Sequence, residues 1–280
     1  MARESVDPTT EVVEIDTSVA HAARIYDYML GGTTNFTVDR ETADHAAEAL
    51  PGGFDGVRAG LQANRAFLGR AVDHLARDVG VRQFLDIGTG IPTEGNVHEV
   101  AQAIAPESRI VYVDNDPIVL AHARTLLTGT SAGETLYLHG DLRQPDDILR
   151  RAAEALDLDA PVAILLVAVL HFICDADDPA GIVRTLLDAV PAGSHLVLSH
   201  VASDERVSVA ELDRGTERLN RRADETYVTR SRDTVRDFFA GLDLLDPGLV
   251  HVHDWRPAPD AGEGYAGWSL PVYGGVARKP

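Results

Sequence analysis

The strongest constraint on this chain is a short apolar segment that runs straight into a pair of glycines. It reads Gln83-Phe-Leu-Asp-Ile-Gly-Thr-Gly-Ile-Pro, and Ile110-Val-Tyr-Val-Asp-Asn-Asp-Pro follows it. Each half has the character of a buried strand ending in a polar turn. Asp86 closes the first strand, and Gly88 and Gly90 let the backbone bend sharply and approach a ligand with no Cβ in the way. Asp114 closes the second, where an acidic side chain can take both hydroxyls of a ribose. Strand, glycine turn, helix, strand, acid is the arrangement of a site for a nucleotide-type ligand.

The rest of the chain extends this alternation. Apolar spacing predicts helices over 18–30, 38–50 and 56–79, ahead of the first strand at 83–87. Helices over 96–105, 117–127, 145–156 and 179–190 then alternate with strands over 110–114, 135–139, 163–170 and 194–200. The pattern specifies a parallel sheet wrapped by helices on both faces, an α/β doubly wound architecture. Beyond residue 203 it changes to a polar helix over 207–224 and a shorter one over 231–240. A Pro- and Gly-rich loop, 257–267, separates 242–252 from a last strand over 268–277 that can pair antiparallel with it. No repeat or linker divides the chain. Residues 1–80 read as an N-terminal helical cover belonging to the same domain as the ligand-binding residues 81–280.

With 280 residues the chain can bury one full core. No apolar run approaches the ~18 residues of a membrane helix. The longest, 161–174, is β-rich and interrupted by His171, and it reads as a central buried strand. The polar, acidic N-terminus lacks the basic start and apolar middle of a secretion signal, and a lone Cys174 excludes an internal disulfide. The expected location is the cytoplasm. A net charge of −19 argues against nucleic acid as the main substrate, because the densest basic group, 214–222, is interleaved with acids. A small neutral or cationic substrate fits better. Assembly into a homo-oligomer is left open.

Two cofactors compete for the glycine turn. A dinucleotide site wants G-x-G-x-x-G with the pyrophosphate at a helix N-terminus. Here Thr93 stands at the third glycine position, and Pro92 removes an amide that would face a phosphate. Asp86 also puts negative charge beside a pyrophosphate. The same acid suits S-adenosylmethionine, whose ammonium and sulfonium are cationic. The turn therefore favours S-adenosylmethionine over NAD.

These residues resemble the class I S-adenosylmethionine-dependent methyltransferases. More narrowly, the chain resembles a bacterial S-adenosyl methyltransferase family formerly classed as a domain of unknown function. The shared blocks are Ala23-Arg-Ile-Tyr-Asp-Tyr-Met-Leu-Gly-Gly, Asn35-Phe, Asp39-Arg, Asp86-Ile-Gly-Thr-Gly-Ile-Pro-Thr, Asn96-Val-His, Tyr112-Val-Asp-Asn-Asp-Pro and Ala168-Val-Leu-His-Phe. The resemblance implies a mostly parallel, seven-stranded Rossmann-like sheet with one reversed strand, and bound S-adenosylmethionine. It supplies no acceptor.

By the class I pattern, Asp86 faces the cofactor's ammonium, and Gly88 and Gly90 offer backbone to the same half. Asp114 takes the ribose, and Asn115 lies beside the adenine. Asp141 accepts the adenine amino hydrogens while the Leu142 amide meets the ring; the alternative for Asp141 is a cap on its own loop. Asp116 and Asp178, each followed by proline, read as helix caps. His171 is the candidate general base, with cofactor contact or strand capping as alternatives, and His200 is a weaker candidate.

Around Gly31-Gly32, Tyr26, Asp27, Tyr28, Asn35 and Phe36 read as a mobile cover that touches the cofactor; the alternative is a helix hairpin packed on the core. Arg65 is a candidate for the cofactor carboxylate, or a surface residue. His251 and His253 lack a clear third ligand, so no metal is expected. The implied reaction is methyl transfer to an oxygen or nitrogen of a small molecule. The rivals are an NAD-dependent oxidoreductase and a protein that binds S-adenosylmethionine without turnover.

Overall fold

A computed structural model describes residues 16–50, 52–92, 95–119, 132–257 and 270–280. Thr93, the far end of the helix expected over 117–127, most of the 257–267 loop and the start of the 268–277 strand lie outside the described residues.

Three helices come first: α1 (Ala22–Leu30), α2 (Thr37–Ala47) and α3 (Gly53–His74), the last running on through a π-turn to Val79. Strand β1 (Gln83–Ile87) then enters the core with every residue buried. Next come α4 (Val97–Ile104), β2 (Arg109–Asp114), a helical turn from Pro117, β3 (Glu134–His139) and α5 (Pro145–Ala152). After them lie β4 (Ala163–Val167), α6 (Pro179–Asp188), β5 (His195–Ser203) and α7 (Val209–Asn220). The chain closes with β6 (Arg230–Ser231), α8 (Arg232–Asp237), β7 (Asp243–Leu244), β8 (Val250–His251) and β9 (Val272–Arg278).

The main path of the sheet runs β3-β2-β1-β4-β5-β9-β7, with β6 on β5 and β8 on β9. Strands β1 to β5 are parallel, and β9 joins β5 antiparallel, placing Leu196 opposite Ala277. This is the α/β, mostly parallel, doubly wound sheet with a reversed C-terminal strand that the sequence predicts. Chain order reverses between β1 and β4, and open α/β sheets bind ligands in the crevice at such a point. Both faces are covered. Leu85, Val111, Ile164 and Leu198 pack against α5 and α6 on one side, while Phe84, Ile110, Leu165 and Val197 pack against α3 and α4 on the other.

The departures have local causes. Helix α1 starts at Ala22 instead of 18 because Ala20 is held in a bridge to Ala223, and His21 becomes the N-cap. The strand expected over 163–170 ends at Val167, where Ala168 turns left-handed (φ 56°) and Leu170–Phe172 follow as a 3-10 turn. The polar helix starts at a capping box, Ser208 with Glu211, and stops at Asn220, which releases residues 221–227 toward the sheet edge. The 242–252 stretch forms two short strands interrupted by Asp246-Pro247-Gly248. No helix among the described residues is long and apolar enough to cross a membrane.

Candidate functional site

A cavity of about 380 Å³ opens where the C-terminal ends of β1 to β4 meet α1, α2, α3 and α7. On its floor, β1 and β2 are locked together by the glycine turn. The Gly88 amide donates to Val113 O (2.8 Å), and the Gly90 amide donates to Asp114 Oδ2 (2.8 Å). Asp114 Oδ1 takes the Asp116 amide (2.9 Å), so this acid anchors the turn as well as facing the cavity. Gly88 and Gly90 are both left-handed, at φ 75° and 67°. A Cβ on Gly88 would lie 2.4 Å from Val169 Cγ2, whereas one on Gly90 would meet nothing within 4 Å. Gly88 thus lets the β4 loop close on the turn, and Gly90 leaves room for a ligand.

Asp86 and Asp114 are both buried, and both line the cavity. Burial pushes the Asp86 carboxyl up to about 6, against a hydrogen bond from Thr89 and the Arg65 charge that pull it down, while Asp114 adds to the rise. Burial likewise lifts Asp114 to about 6, although the Asp116 and Gly90 amides favour its ionised form. Two acids raised in one water-poor cavity are a site short of positive charge. That donor set, with the open space above Gly90, fits a cationic ligand with hydroxyls to bind.

Asp141 and Leu142, after β3, also line the cavity. Asp141 Oδ1 accepts both the Arg143 amide and its Nε at 2.9 Å. Burial raises its pKa, but these Arg143 bonds outweigh that and leave it below the ordinary value. Its loop is therefore capped as well as exposed to the cavity. Asn115, exposed at the rim, donates to Glu225 Oε1 (3.2 Å).

The cover presents Tyr26 and Asp27 to the cavity, with Arg65 and Asn64 from α3. Tyr28 and Asn35 do not reach the lining. Tyr28 sits two residues beyond Tyr26, about 200° round the helix, and its hydroxyl donates to Asp44 Oδ1 (3.1 Å) while its ring meets Phe54 edge-on. Asn35 works from behind, donating to Asp27 Oδ2 (2.8 Å) and accepting from Arg40 (2.9 Å). Asp39, fully buried, accepts the His21 and Phe36 amides and so ties α2 to the start of α1. The Asn35-Phe and Asp39-Arg blocks therefore brace the cover.

His171 lines the cavity from the 3-10 turn after β4. Its ring stacks on Tyr227 (4.2 Å, 23°), its carbonyl accepts the Val228 amide (2.7 Å), and its Nδ1 is buried without a hydrogen-bond partner. Burial, then the neighbouring His200 and Arg230, hold it well below the usual imidazole range, so it is neutral at pH 7. Arg230 is what fixes this turn. From a buried position it donates to Leu170 O (2.8 Å), Ile173 O (2.7 Å), Asp175 Oδ1 (2.8 Å) and His200 Nε2 (3.0 Å). His200 is fully buried off the lining, pushed down to about 3 chiefly by burial, and its Nδ1 faces Val201 O. His251 and His253 stack on each other, and each pairs with an acid, Asp204 and Asp254, away from the lining. Asp178 caps α6 through the Gly181 amide (2.9 Å), and Asp116 caps the turn at Pro117 through the Ile118 amide (2.8 Å), as the proline steps predict.

Sequence reasoning missed His21, Tyr227, Arg230 and Glu225. His21 Nδ1 lies 3.1 Å from Asp116 Oδ2, and its Nε2 lies 3.9 Å from Glu225 Oε1. The Ala23 amide approaches the same Nδ1 (3.3 Å), which would need that nitrogen unprotonated. That bond makes His21 the side-chain cap of α1. The ligand atoms of His21, Asp224 and Glu225 lie within 4.8 Å of one another, a convergence of three donors absent from the sequence reading. The available signal for Tyr227 was weak: a lone aromatic after a polar helix.

The family model for S-adenosyl methyltransferase matches residues 8–280. The chain is similar to a DUF574 family protein from Streptomyces avermitilis, with 43% identity, TM-score 0.88, and 95% of this chain and 100% of that one covered. It is also similar to a protein from Thermobifida fusca described as a candidate methyltransferase, with 33% identity, TM-score 0.83, and 94% and 96% covered. No curated protein matches.

Proposed function

The chain belongs to the S-adenosyl methyltransferase family, and from that premise we propose that it methylates an oxygen or nitrogen of a small molecule held beneath its N-terminal cover, residues 1–80. The observation that carries this reading is one cavity lined by two raised acids, a glycine with open space above it, and a neutral histidine. When bound, S-adenosylmethionine supplies a methyl group activated by its sulfonium.

The chain's own residues then have these roles. Asp86 holds the ammonium, and Asp114 takes the ribose hydroxyls on the lone pairs its two amide donors leave free. Gly88 and Gly90 give backbone access, Asn115, Asp141 and Leu142 frame the adenine, and Arg65 takes the carboxylate. Tyr28 and Asn35 act from behind the wall, as supports. Alignment of two bound reactants is the main contribution of such a site, and the buried cover excludes water from it. His171, neutral and of low basicity, can hydrogen-bond the acceptor and take up its proton as the bond to carbon forms. The net charge of −19 disfavours nucleic acid, and a lone cysteine suits the cytoplasm.

Titration calorimetry of the ligand-free chain tests the reading. Micromolar binding of S-adenosylmethionine and S-adenosylhomocysteine, with no heat from NAD, is the expected result. Binding of NAD alone would overturn it.

A further inference from the structure

The two ends of the cavity differ in what they can solvate. Acids, amides and glycines gather at the β1–β3 end. The other end is walled by Met29 of α1, Ala47 of α2, Val57 and Leu61 of α3, Leu212 of α7 and Leu270 before β9. Four helices and a loop contribute, yet none of these six residues carries a polar side chain.

The charged groups that α1 and α3 bring to the lining are already engaged. Asp27 is the acid from α1–α3 that reaches the lining, and its Oδ2 accepts the Thr34 amide (2.9 Å) and the Asn35 side-chain amide (2.8 Å). Arg65 acts on Asp86, whose carboxyl it helps to keep ionised. A charged group on the acceptor would be buried here without a counter-charge of its own, a cost that apolar surroundings make severe.

Thr216, Asp224 and Glu225 add polar groups to the lining at and after α7, and Tyr26 adds one beside the apolar wall. Tyr26 Oη donates to Leu61 O and accepts from Asn64 Nδ2, both at 3.3 Å, and Tyr227 and His171 lie stacked on each other in the lining. Asn64 is itself fixed by Ser199, whose hydroxyl donates to Asn64 Oδ1 (2.6 Å).

We propose that the acceptor is a neutral, largely apolar molecule bearing one hydroxyl. Its skeleton lies against the α1–α2–α3–α7 wall and its oxygen at the Tyr26–Tyr227–His171 end. This rests on the methyltransferase reading of the same cavity and narrows it from oxygen or nitrogen to oxygen. In the transfer, the acceptor oxygen forms its bond to the methyl carbon as the methyl–sulfur bond breaks with its electron pair to sulfur. The hydroxyl proton leaves to His171 or to water. Because His171 is a weak base, a hydroxyl on an aromatic or enolic carbon suits it better than an aliphatic alcohol. An amine, cationic at neutral pH, would meet both objections at once: its charge lacks a partner on this wall, and its proton has no strong base to take it.

The test is calorimetry on the full chain, first with S-adenosylhomocysteine and then, once saturated, with 1-naphthol, 1-naphthoate and 1-naphthylmethylamine. The expected result is 1-naphthol binding at least about tenfold tighter than either charged analogue. Leu61→Asp should weaken 1-naphthol by a similar factor while S-adenosylhomocysteine affinity stays within about twofold. A charged analogue binding as tightly as 1-naphthol, or a saturated chain that takes none of the three, overturns the acceptor class and leaves the methyltransferase reading standing. A chain that does not bind S-adenosylhomocysteine at all overturns that reading, and the acceptor class with it.

Discussion

The floor of the cavity and its cover are built by opposite means. On the floor, Asp86, Gly88, Gly90 and Asp114 come from two adjacent parallel strands, and backbone amides fix their geometry. The cover and the wall that completes it draw on Tyr26, Leu61, His171, Leu212, Tyr227 and Leu270, which sequence separates widely and the docking of several elements brings together. Floor residues hold position through hydrogen bonds inside one secondary-structure unit. Cover residues hold position only if several helices dock correctly. A site made this way can keep one cofactor constant while the acceptor pocket changes with side chains on α1, α2 and α7.

The floor should fail most sharply when its shared anchor goes. Asp114→Ala removes a buried acid and the acceptors of the Gly90 and Asp116 amides together. S-adenosylhomocysteine affinity is expected to fall about 100-fold. Asp114→Asn keeps an oxygen for one amide and should fall less. Equal affinity of Asp114→Ala and the parent chain in calorimetry would remove Asp114 from the cofactor site.

That asymmetry also explains what was legible in the sequence. The β1 and β2 turns could be read because glycine pairs, strand-end acids and Asp-Pro steps each have a local physical meaning. Strand β1 falls at 83–87 as predicted, and the fold class follows from the alternation. The cover could be read only in outline. Tyr28 and Tyr26 look equivalent as letters, yet the helix turns one of them outward. His171 was found by its place after an apolar strand, but the left-handed Ala168 that moves it onto a separate turn leaves no mark in the letters. Arg230, 59 residues on from His171, could not be linked to it without the fold, and nothing local announces its four bonds.

The chemistry of the wall opposite the floor is tested through the turn after β4. His171→Ala should lower turnover by about a hundredfold, the low end for acid–base catalysis, with cofactor affinity little changed. Arg230→Met leaves the Leu170 and Ile173 carbonyls without their buried donor and should cost about 1–3 kcal/mol in stability by denaturant unfolding. Its turnover should fall with that of His171→Ala, although Arg230 does not line the cavity. Full turnover in His171→Ala would make the histidine a packing residue.

Acidity separates the two ends with a smaller effect. The floor acids titrate at about 6 in the ligand-free chain, above their ordinary 3.8. A cationic cofactor needs Asp86 ionised, so affinity should be full above pH 7. It should fall as pH drops through 6, by about tenfold between pH 7 and 5 for each acid that must lose its proton. For folding the sign is reversed. A raised carboxylate pKa penalises the folded chain above pH 6, and these two groups release that penalty as pH falls from about 6 toward 3.8. Calorimetry and denaturant unfolding between pH 5 and 8 should therefore move in opposite directions. Affinity that stays flat across this range would show that neither acid faces the cofactor's charge.

Tyr28 gives the smallest expected effect and the sharpest check on the division between floor and cover. Its hydroxyl is spent on Asp44 and its ring on Phe54, both outside the lining. Tyr28→Phe removes one partly exposed hydrogen bond while keeping the ring contact, a change worth about 1 kcal/mol at most. S-adenosylhomocysteine affinity should stay within about twofold. Asn35→Ala should do slightly more, because Asp27 then keeps the Thr34 amide but loses the side-chain donor that steadies it at the cavity wall. A tenfold loss in Tyr28→Phe would mean that α1 rotates on binding and brings the outward face of the helix to the cofactor. The acceptor wall would then be assembled by the cofactor itself, and Met29, one residue further round the helix, would leave it.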